Sequence, residues 1–146
     1  MNKNLVLKSN KYLANVGVSY VKLHNLHWNV VGLQFKAVHE YLESLYDSMS
    51  DVLDELAELI KMGGSYPLAS LKDYLAVSEI EELESKDYGI GESLEIVLKD
   101  MNLLKANALE LRSLAASEDY YPLQVMAEDH LANYNKVIWF LESMLK

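Results

Sequence analysis

Apolar residues along this chain recur at three- and four-residue steps in four long stretches, the spacing that gathers side chains on one face of an α-helix, and almost nothing alternates with the period of two that marks a strand. The first stretch runs from about Leu5 to Val31, with Leu13, Val16, Tyr20, Leu23 and Leu26 or His27 in phase and Gly32 to end it. The second begins near Gln34 and keeps Val38, Leu42, Leu45, Met49, Val52, Leu56 and Leu59 on one side until Gly63-Gly64 and Pro67 stop it. It is the best-patterned amphipathic helix in the chain. Leu68 to Val77 reads as a short connecting helix, and the acidic segment from Ser78 to Gly91 as a long crossover. Two further helices follow. One carries Leu94, Leu98, Met101, Leu104, Ala108, Leu111 and Ala115; the other starts near Pro122 and carries Met126, Leu131, Tyr134, Ile138, Leu141 and Leu145.

Four long helices with an extended link between the second and third predict a single all-α domain over residues 1–146, a four-helix bundle with one crossover. The length suits one domain, and a hydrophobic content of 51% is ample for its core. No apolar run approaches the roughly 18 residues of a membrane span, so no membrane partner is expected. The amino terminus lacks the basic, apolar and small-residue succession of a secretory signal, which predicts a cytoplasmic protein. With no cysteine, any metal site must use His and carboxylate. A net charge of -9 argues against a broad nucleic-acid surface and favours cations, although acidity alone also serves solubility.

The position of the acids says more than their number. Between Ala37 and Ile60 stand seven carboxylates, Glu40, Glu43, Asp47, Asp51, Asp54, Glu55 and Glu58, and no Lys or Arg. Glu43, Asp47, Asp51, Asp54 and Glu58 follow one another at steps of four, four, three and four, which makes a stripe beside the apolar face. Each like-charge pair at that spacing destabilises a helix by a few tenths of a kcal/mol, and a helix shaped only by stability would interleave lysines. The stripe is either a solvated acidic face or one that meets metal ions.

His27 and His39 sit just upstream, and His39 and Glu43, like Asp54 and Glu58, are four residues apart, so each pair can converge on one ion. At about 1.5 Å of rise per residue, Asp54 lies roughly 22 Å from His39 and roughly 16 Å from Glu43 along the helix, too far to share one centre within a chain. If both pairs serve one centre, two copies of the helix must meet antiparallel across a twofold axis, with two equivalent sites per dimer. A centre inside one bundle built on Glu-x-x-His pairs is not available: Val21, His24, Lys36 and Ala127 stand three residues before the four histidines.

The run HNLHWNVVGLQFKAVHEYLESLYDSMSDVLDELAE, His24 to Glu58, resembles the signature of the Dps family, the mini-ferritins. The likeness rests on His27-Trp28, Gly32, Phe35, His39-Glu40, Tyr46 and the Asp54-x-x-Ala57-Glu58 ending, and it extends through GGSYPLASLKDYL and the terminal VIWFLESML. The resemblance implies a ferritin-like fold, assembly into a homododecamer of twofold dimers, and a ferroxidase centre that binds iron as Fe2+ and Fe3+ between subunits. Carried over, His27, His39 and Glu43 come from one subunit and Asp54 and Glu58 from its mate. It further implies oxidation of ferrous iron by hydrogen peroxide or dioxygen, storage of ferric mineral in the shell and protection from oxidative stress. Glu43 stands where Asp is usual, and Leu59 where an Arg often follows the last glutamate.

Several residues keep two readings at this stage. Trp28 is either a core anchor or a neighbour of the metal, and His24 is assigned structural duty. Glu40, Glu43 and Asp47 are candidates for leading ferric ions to mineral; Glu118, Asp119, Glu128 and Asp129 line either an iron entrance or a plain acidic loop. Two other functions compete. A DNA-protecting nucleoid protein has only Lys3, Lys8 and Lys11 in its tail to offer, and a noncatalytic helical scaffold would use the stripe for solubility alone.

Overall fold

The computed structural model describes all 146 residues. Five helices form in chain order: α1 (Lys3–Asn29), α2 (Phe35–Met62), α3 (Leu71–Val77), α4 (Ile90–Ser117) and α5 (Tyr121–Leu145). The four long ones make the expected bundle, and α3 is the expected helix in the crossover. No helix is long and apolar enough to cross a membrane. The apolar residues predicted for α2 are all buried, while Tyr20, Leu98 and Leu145 on the other helices are only half-buried and pack against the core from its edge.

The helix ends are set by local chemistry. Asn2 caps α1, its side-chain oxygen accepting from the Leu5 amide at 2.9 Å. At the end of α2, Gly64 takes φ 82°, which lets the Ser65 amide turn back to the Ile60 carbonyl at 3.1 Å. The α1–α2 turn needs Gly32 for two reasons: its φ is 142°, and a Cβ there would lie 2.6 Å from Ile90 Cγ1.

One feature was absent from the sequence pattern. Val30–Val31 (β1) and Tyr88–Gly89 (β2) form a two-residue parallel pair, Val30 opposite Tyr88 and Val31 opposite Gly89, and α1 therefore stops at Asn29 rather than Val31. A segment of two residues is too short to carry periodicity. The pair joins the exit of α1 to the entry of α4, so α4 begins at the end of the bundle where α2 also begins. The crossover must return the full length of α2, about 42 Å at the helical rise.

Three asparagines on α1 hold that crossover. Asn10 accepts from the Leu68 amide at 2.8 Å and donates to the Tyr66 carbonyl at 3.3 Å. Asn15, fully buried, accepts from the Glu79 amide and the Ser78 hydroxyl and donates to Asn107 of α4 at 2.8 Å. Asn25 donates to the Leu83 and Glu84 carbonyls, each at 3.2 Å. A crossover without a ladder of its own leaves backbone groups needing partners near the core, and these amides supply them.

Two buried polar clusters tie the helices together. Lys22 of α1 meets Asp100 of α4 at 2.8 Å with both side chains nearly enclosed. Burial pushes the Asp100 carboxyl above its ordinary value even though Lys22 pulls it down. In the bundle interior, the Tyr12 hydroxyl lies 2.9 Å from His130 Nδ1 and also bonds the Tyr134 hydroxyl, while His130 Nε2 lies 3.1 Å from the Glu55 carboxylate. A carboxylate only accepts, so Nε2 carries the proton and the neutral ring's Nδ1 accepts from Tyr12. Burial lowers the His130 pKa, outweighing the Glu55 contact that raises it.

Two outcomes follow from these clusters. Asp100→Ala, which strands the Lys22 ammonium, should lower unfolding stability by about 3 kcal/mol, and Lys22→Met with Asp100→Leu should recover most of the loss in denaturant titrations. Because His130 stays neutral in the fold to a lower pH than in the unfolded chain, stability should be flat above about pH 6.5 in this respect and fall as pH drops below it. A His130→Gln variant should lack that part of the decline, measured as the change in denaturation midpoint between neutral and mildly acidic buffer.

Candidate metal centre

The end of α1 and the start of α2 bring His27 and His39 together. Their rings stack with centroids 3.7 Å apart and planes 11° from parallel. His27 Nδ1 lies 2.7 Å from the His39 carbonyl, and His39 Nδ1 lies 2.6 Å from the His27 carbonyl. A carbonyl cannot donate, so both Nδ1 atoms carry hydrogen, and Nε2 is the nitrogen of each ring left to offer a lone pair to a metal. Two histidines from different helices are thus held in one tautomer and one orientation, as metal-ligating imidazoles generally are by the bond their other nitrogen makes. His27 is buried and His39 half-buried, with Phe35 stacked on the outer face of His39 at 4.9 Å.

Glu43 lies one turn further along α2, exposed, with its Oε1 accepting from the Tyr46 hydroxyl at 3.2 Å. Tyr46 in turn stacks on His24 at 3.7 Å and meets His27 edge-on at 5.2 Å. It connects one candidate ligand to another, a role that its spacing did not disclose. His24 donates from Nδ1 to the Tyr20 carbonyl at 2.7 Å and packs between Tyr20, Tyr46 and Trp28, in keeping with structural duty. Trp28 is 67% exposed, so within one chain it is not a core anchor.

Asp54 and Glu58 are exposed near the other end of α2, as are Asp47 and Asp51 between the two ends. No three His, Asp or Glu side chains of the chain converge to hold a metal. The structure therefore brings His27 to His39, places Glu43 one turn along α2 from His39, and leaves Asp54 and Glu58 apart. The stripe is solvent-facing along its length, with Lys36 at 3.9 Å from Glu40 outside it. Glu55, a carboxylate of α2 outside the stripe, bonds His130 across 75 residues of sequence, a pairing that local spacing has no means to signal. Apolar side chains open to solvent surround the histidine end: Leu33 is fully exposed, and Val31 and Phe35 are partly so, at 44% and 41%. Glu118 and Asp119 form the short turn into α5, where Asp119 takes φ 55°, and Glu128 and Asp129 lie about two turns further along α5.

Comparison with known proteins places these observations. Residues 8–146 match the model of the ferritin-like domain. Antigen TpF1 of Treponema pallidum is 37% identical over 137 residues, covering 93% of this chain and 77% of the relative, and its crystal structure superimposes with a TM-score of 0.96 over 98% of this chain and 92% of that one. The DNA protection during starvation protein of Helicobacter pylori is 33% identical over 132 residues, 90% of this chain and 92% of the relative. The Dps protein of Vibrio cholerae O1, described as a member of a broad superfamily of ferritin-like diiron-carboxylate proteins, is 26% identical with a TM-score of 0.94 over 99% of this chain and 90% of that one. With the whole bundle, its crossover and the matched domain in agreement, the chain belongs to the ferritin-like family, in its Dps branch.

Proposed function

We propose that this protein oxidises ferrous iron at a centre shared between two subunits and stores the ferric product inside a closed assembly, a homododecamer built from twofold dimers. The observation that carries the reading is the His27–His39 lock, which leaves two imine nitrogens fixed beside a carboxylate at one end of α2 while a second carboxylate pair waits at the other end. A twofold axis across α2 would set His27, His39 and Glu43 of one subunit against Asp54 and Glu58 of its mate. The exposed apolar residues around the histidine end are suited to such a contact. The relationship to the Vibrio cholerae protein, a member of a diiron-carboxylate superfamily, supports iron as the metal acted upon.

The donor set suits the reaction. Imidazole nitrogen and carboxylate oxygen together bind ferrous iron, and the carboxylates hold the product more tightly because ferric iron carries the greater charge. Each of two ferrous ions gives up one electron; hydrogen peroxide takes both, with two protons, and leaves as two waters. Dioxygen is the alternative oxidant. Keeping the two electrons together avoids the hydroxyl radical that a single transfer would release, and this is the protective side of the activity. Glu40, Glu43 and Asp47, the exposed acids nearest the histidines, would pass ferric ions toward mineral; Glu118, Asp119, Glu128 and Asp129 are candidates to line the entrance.

Direct DNA binding is not part of this reading, although relatives are named for DNA protection. Two of the three lysines near the amino terminus are already engaged, Lys8 with Glu110 and Lys11 with Glu79, each at 2.8 Å. In a gel shift at physiological salt the assembled protein should leave duplex DNA unretained; tight, salt-sensitive retention would reverse this.

The shared centre has a direct test. His27→Ala/His39→Ala subunits and Asp54→Ala/Glu58→Ala subunits should each lose peroxide-driven iron oxidation. Co-assembled in equal amounts they should regain about one quarter of the wild-type rate, because half the dimers are mixed and each mixed dimer rebuilds one complete site of two. A centre within one chain would regain nothing. Particle mass and iron retained per particle, measured on the same samples, report closure and storage.

A further inference from the structure

The chain Tyr134–Tyr12–His130–Glu55 lies outside the candidate centre and takes no part in the reaction proposed there. Tyr12 and Tyr134 are fully buried and His130 nearly so, in a bundle interior where Phe and Leu would fill the same space without needing partners. Instead, the phenols and imidazole form one directed run. Tyr134 donates to the Tyr12 oxygen, Tyr12 donates to His130 Nδ1 at 2.9 Å, and His130 Nε2–H donates to Glu55 at 3.1 Å. Three helices contribute to it: α1, α2 and α5. Its outer end, Glu55, is half exposed and adjoins Asp54 on the acidic face of α2.

We propose that Tyr12 is a redox-active tyrosine, paired with His130 as its proton acceptor, which gives one electron to radical oxidants formed where ferrous iron and peroxide meet. Oxidation of a buried phenol needs somewhere for its proton to go, because a phenol cation in a low-dielectric interior is very unfavourable. His130 Nδ1 is that place, already in hydrogen-bond contact and holding a free lone pair. In the step, the electron leaves the Tyr12 ring, its O–H bond breaks, and the proton crosses to Nδ1. The imidazolium formed remains bonded through Nε2–H to the Glu55 carboxylate. A hydroxyl radical that accepts the electron becomes hydroxide, whose charge balances that of the imidazolium until the site is reset. The Tyr134 hydroxyl donates to the Tyr12 oxygen throughout and stabilises the phenoxyl. A ferrous ion then resets the site: it gives one electron, becomes ferric, and the proton returns from Nδ1 to Tyr12.

The resting protonation states suit this role. Burial raises the Tyr12 and Tyr134 hydroxyls well above their ordinary range, and burial lowers His130, so the phenols are protonated and the imidazole is neutral at physiological pH. The exposed tyrosines, such as Tyr66 and Tyr121, have no histidine partner for their hydroxyls and are open to coupling with other radicals. Tyr12 is shielded, so its phenoxyl should outlive theirs.

The source of the oxidant rests on the proposed iron chemistry, and the experiment separates the two. Assembled protein with 3,5-difluorotyrosine at position 12, which keeps the hydroxyl, is oxidised by azide radicals from pulse radiolysis without iron, and in parallel by ferrous iron and peroxide. Freeze-quenched electron paramagnetic resonance is recorded after the exposed phenoxyls have decayed, and iron oxidation is followed by absorbance in the second arm. The expected result is a persistent radical with fluorine splitting in both arms; in the unlabelled protein the persistent signal falls severalfold with Tyr12→Phe and is unaffected by Tyr66→Phe. A persistent signal without fluorine splitting in the azide arm, or no persistent signal there, overturns the proposal even if Tyr12→Phe does not assemble. Fluorine splitting with azide but no oxidation of iron upholds Tyr12 and defeats the ferroxidase reading instead.

Discussion

Two hydrogen bonds crossing between His27 and His39 decide where α2 begins relative to the end of α1. Each imidazole reaches the other's main-chain carbonyl, so neither helix can slide by a residue without losing both bonds. The same turn carries Gly32, whose conformation and close approach to Ile90 fix the angle at which the chain reverses. From that register follows the placement of everything on α2, nearly eight turns of helix with one apolar face in the core and one acidic face outside. Side chains that lock the fold at this point are also the proposed metal ligands, so stability and the proposed metal affinity are joined in one pair of residues.

The bundle illustrates two ways of keeping polar groups inside an apolar core. Lys22 and Asp100 neutralise one another, but at a desolvation penalty large enough to keep Asp100 raised despite its lysine. The Tyr134–Tyr12–His130–Glu55 run avoids net charge until its last member, which reaches solvent. The first arrangement holds α1 against α4; the second spans α1, α5 and α2. Between them, all four long helices carry a buried polar tie as well as the shared apolar core, and such ties select one packing among the many that apolar surfaces alone would tolerate.

Much of this was legible in the sequence because it depends on local periodicity. The four long helices, the face of α2 that turns inward, the short helix in the crossover and the exposed acidic stripe all follow from spacing at three and four residues. The likeness to Dps proteins, carried by residues from His24 to Glu58, named the family before any coordinates. What stayed hidden was contact between residues far apart in the chain. The β1–β2 pair is two residues long and has no pattern; Glu55 looks like any other acid of α2 until His130, on α5, is beside it. Tyr46 was visible as part of a motif, but its link from Glu43 to His24 and His27 needs coordinates. Trp28, with two readings open from sequence, is exposed in the single chain.

The asparagines that hold the crossover have a consequence under the proposed storage of ferric mineral. Ferric iron hydrolyses as it precipitates and releases acid into the space where it is deposited. The crossover is itself rich in acids, Glu79, Glu81, Glu82 and Glu84, and ion pairs alone would loosen their grip as those groups take up protons. Asn10, Asn15 and Asn25 use amides, which neither gain nor lose a proton across that range. The longest connection in the fold is thus fastened by bonds indifferent to the acid that such mineralisation would release, and the acid-sensitive contact, His130 with Glu55, lies on other helices, away from the crossover.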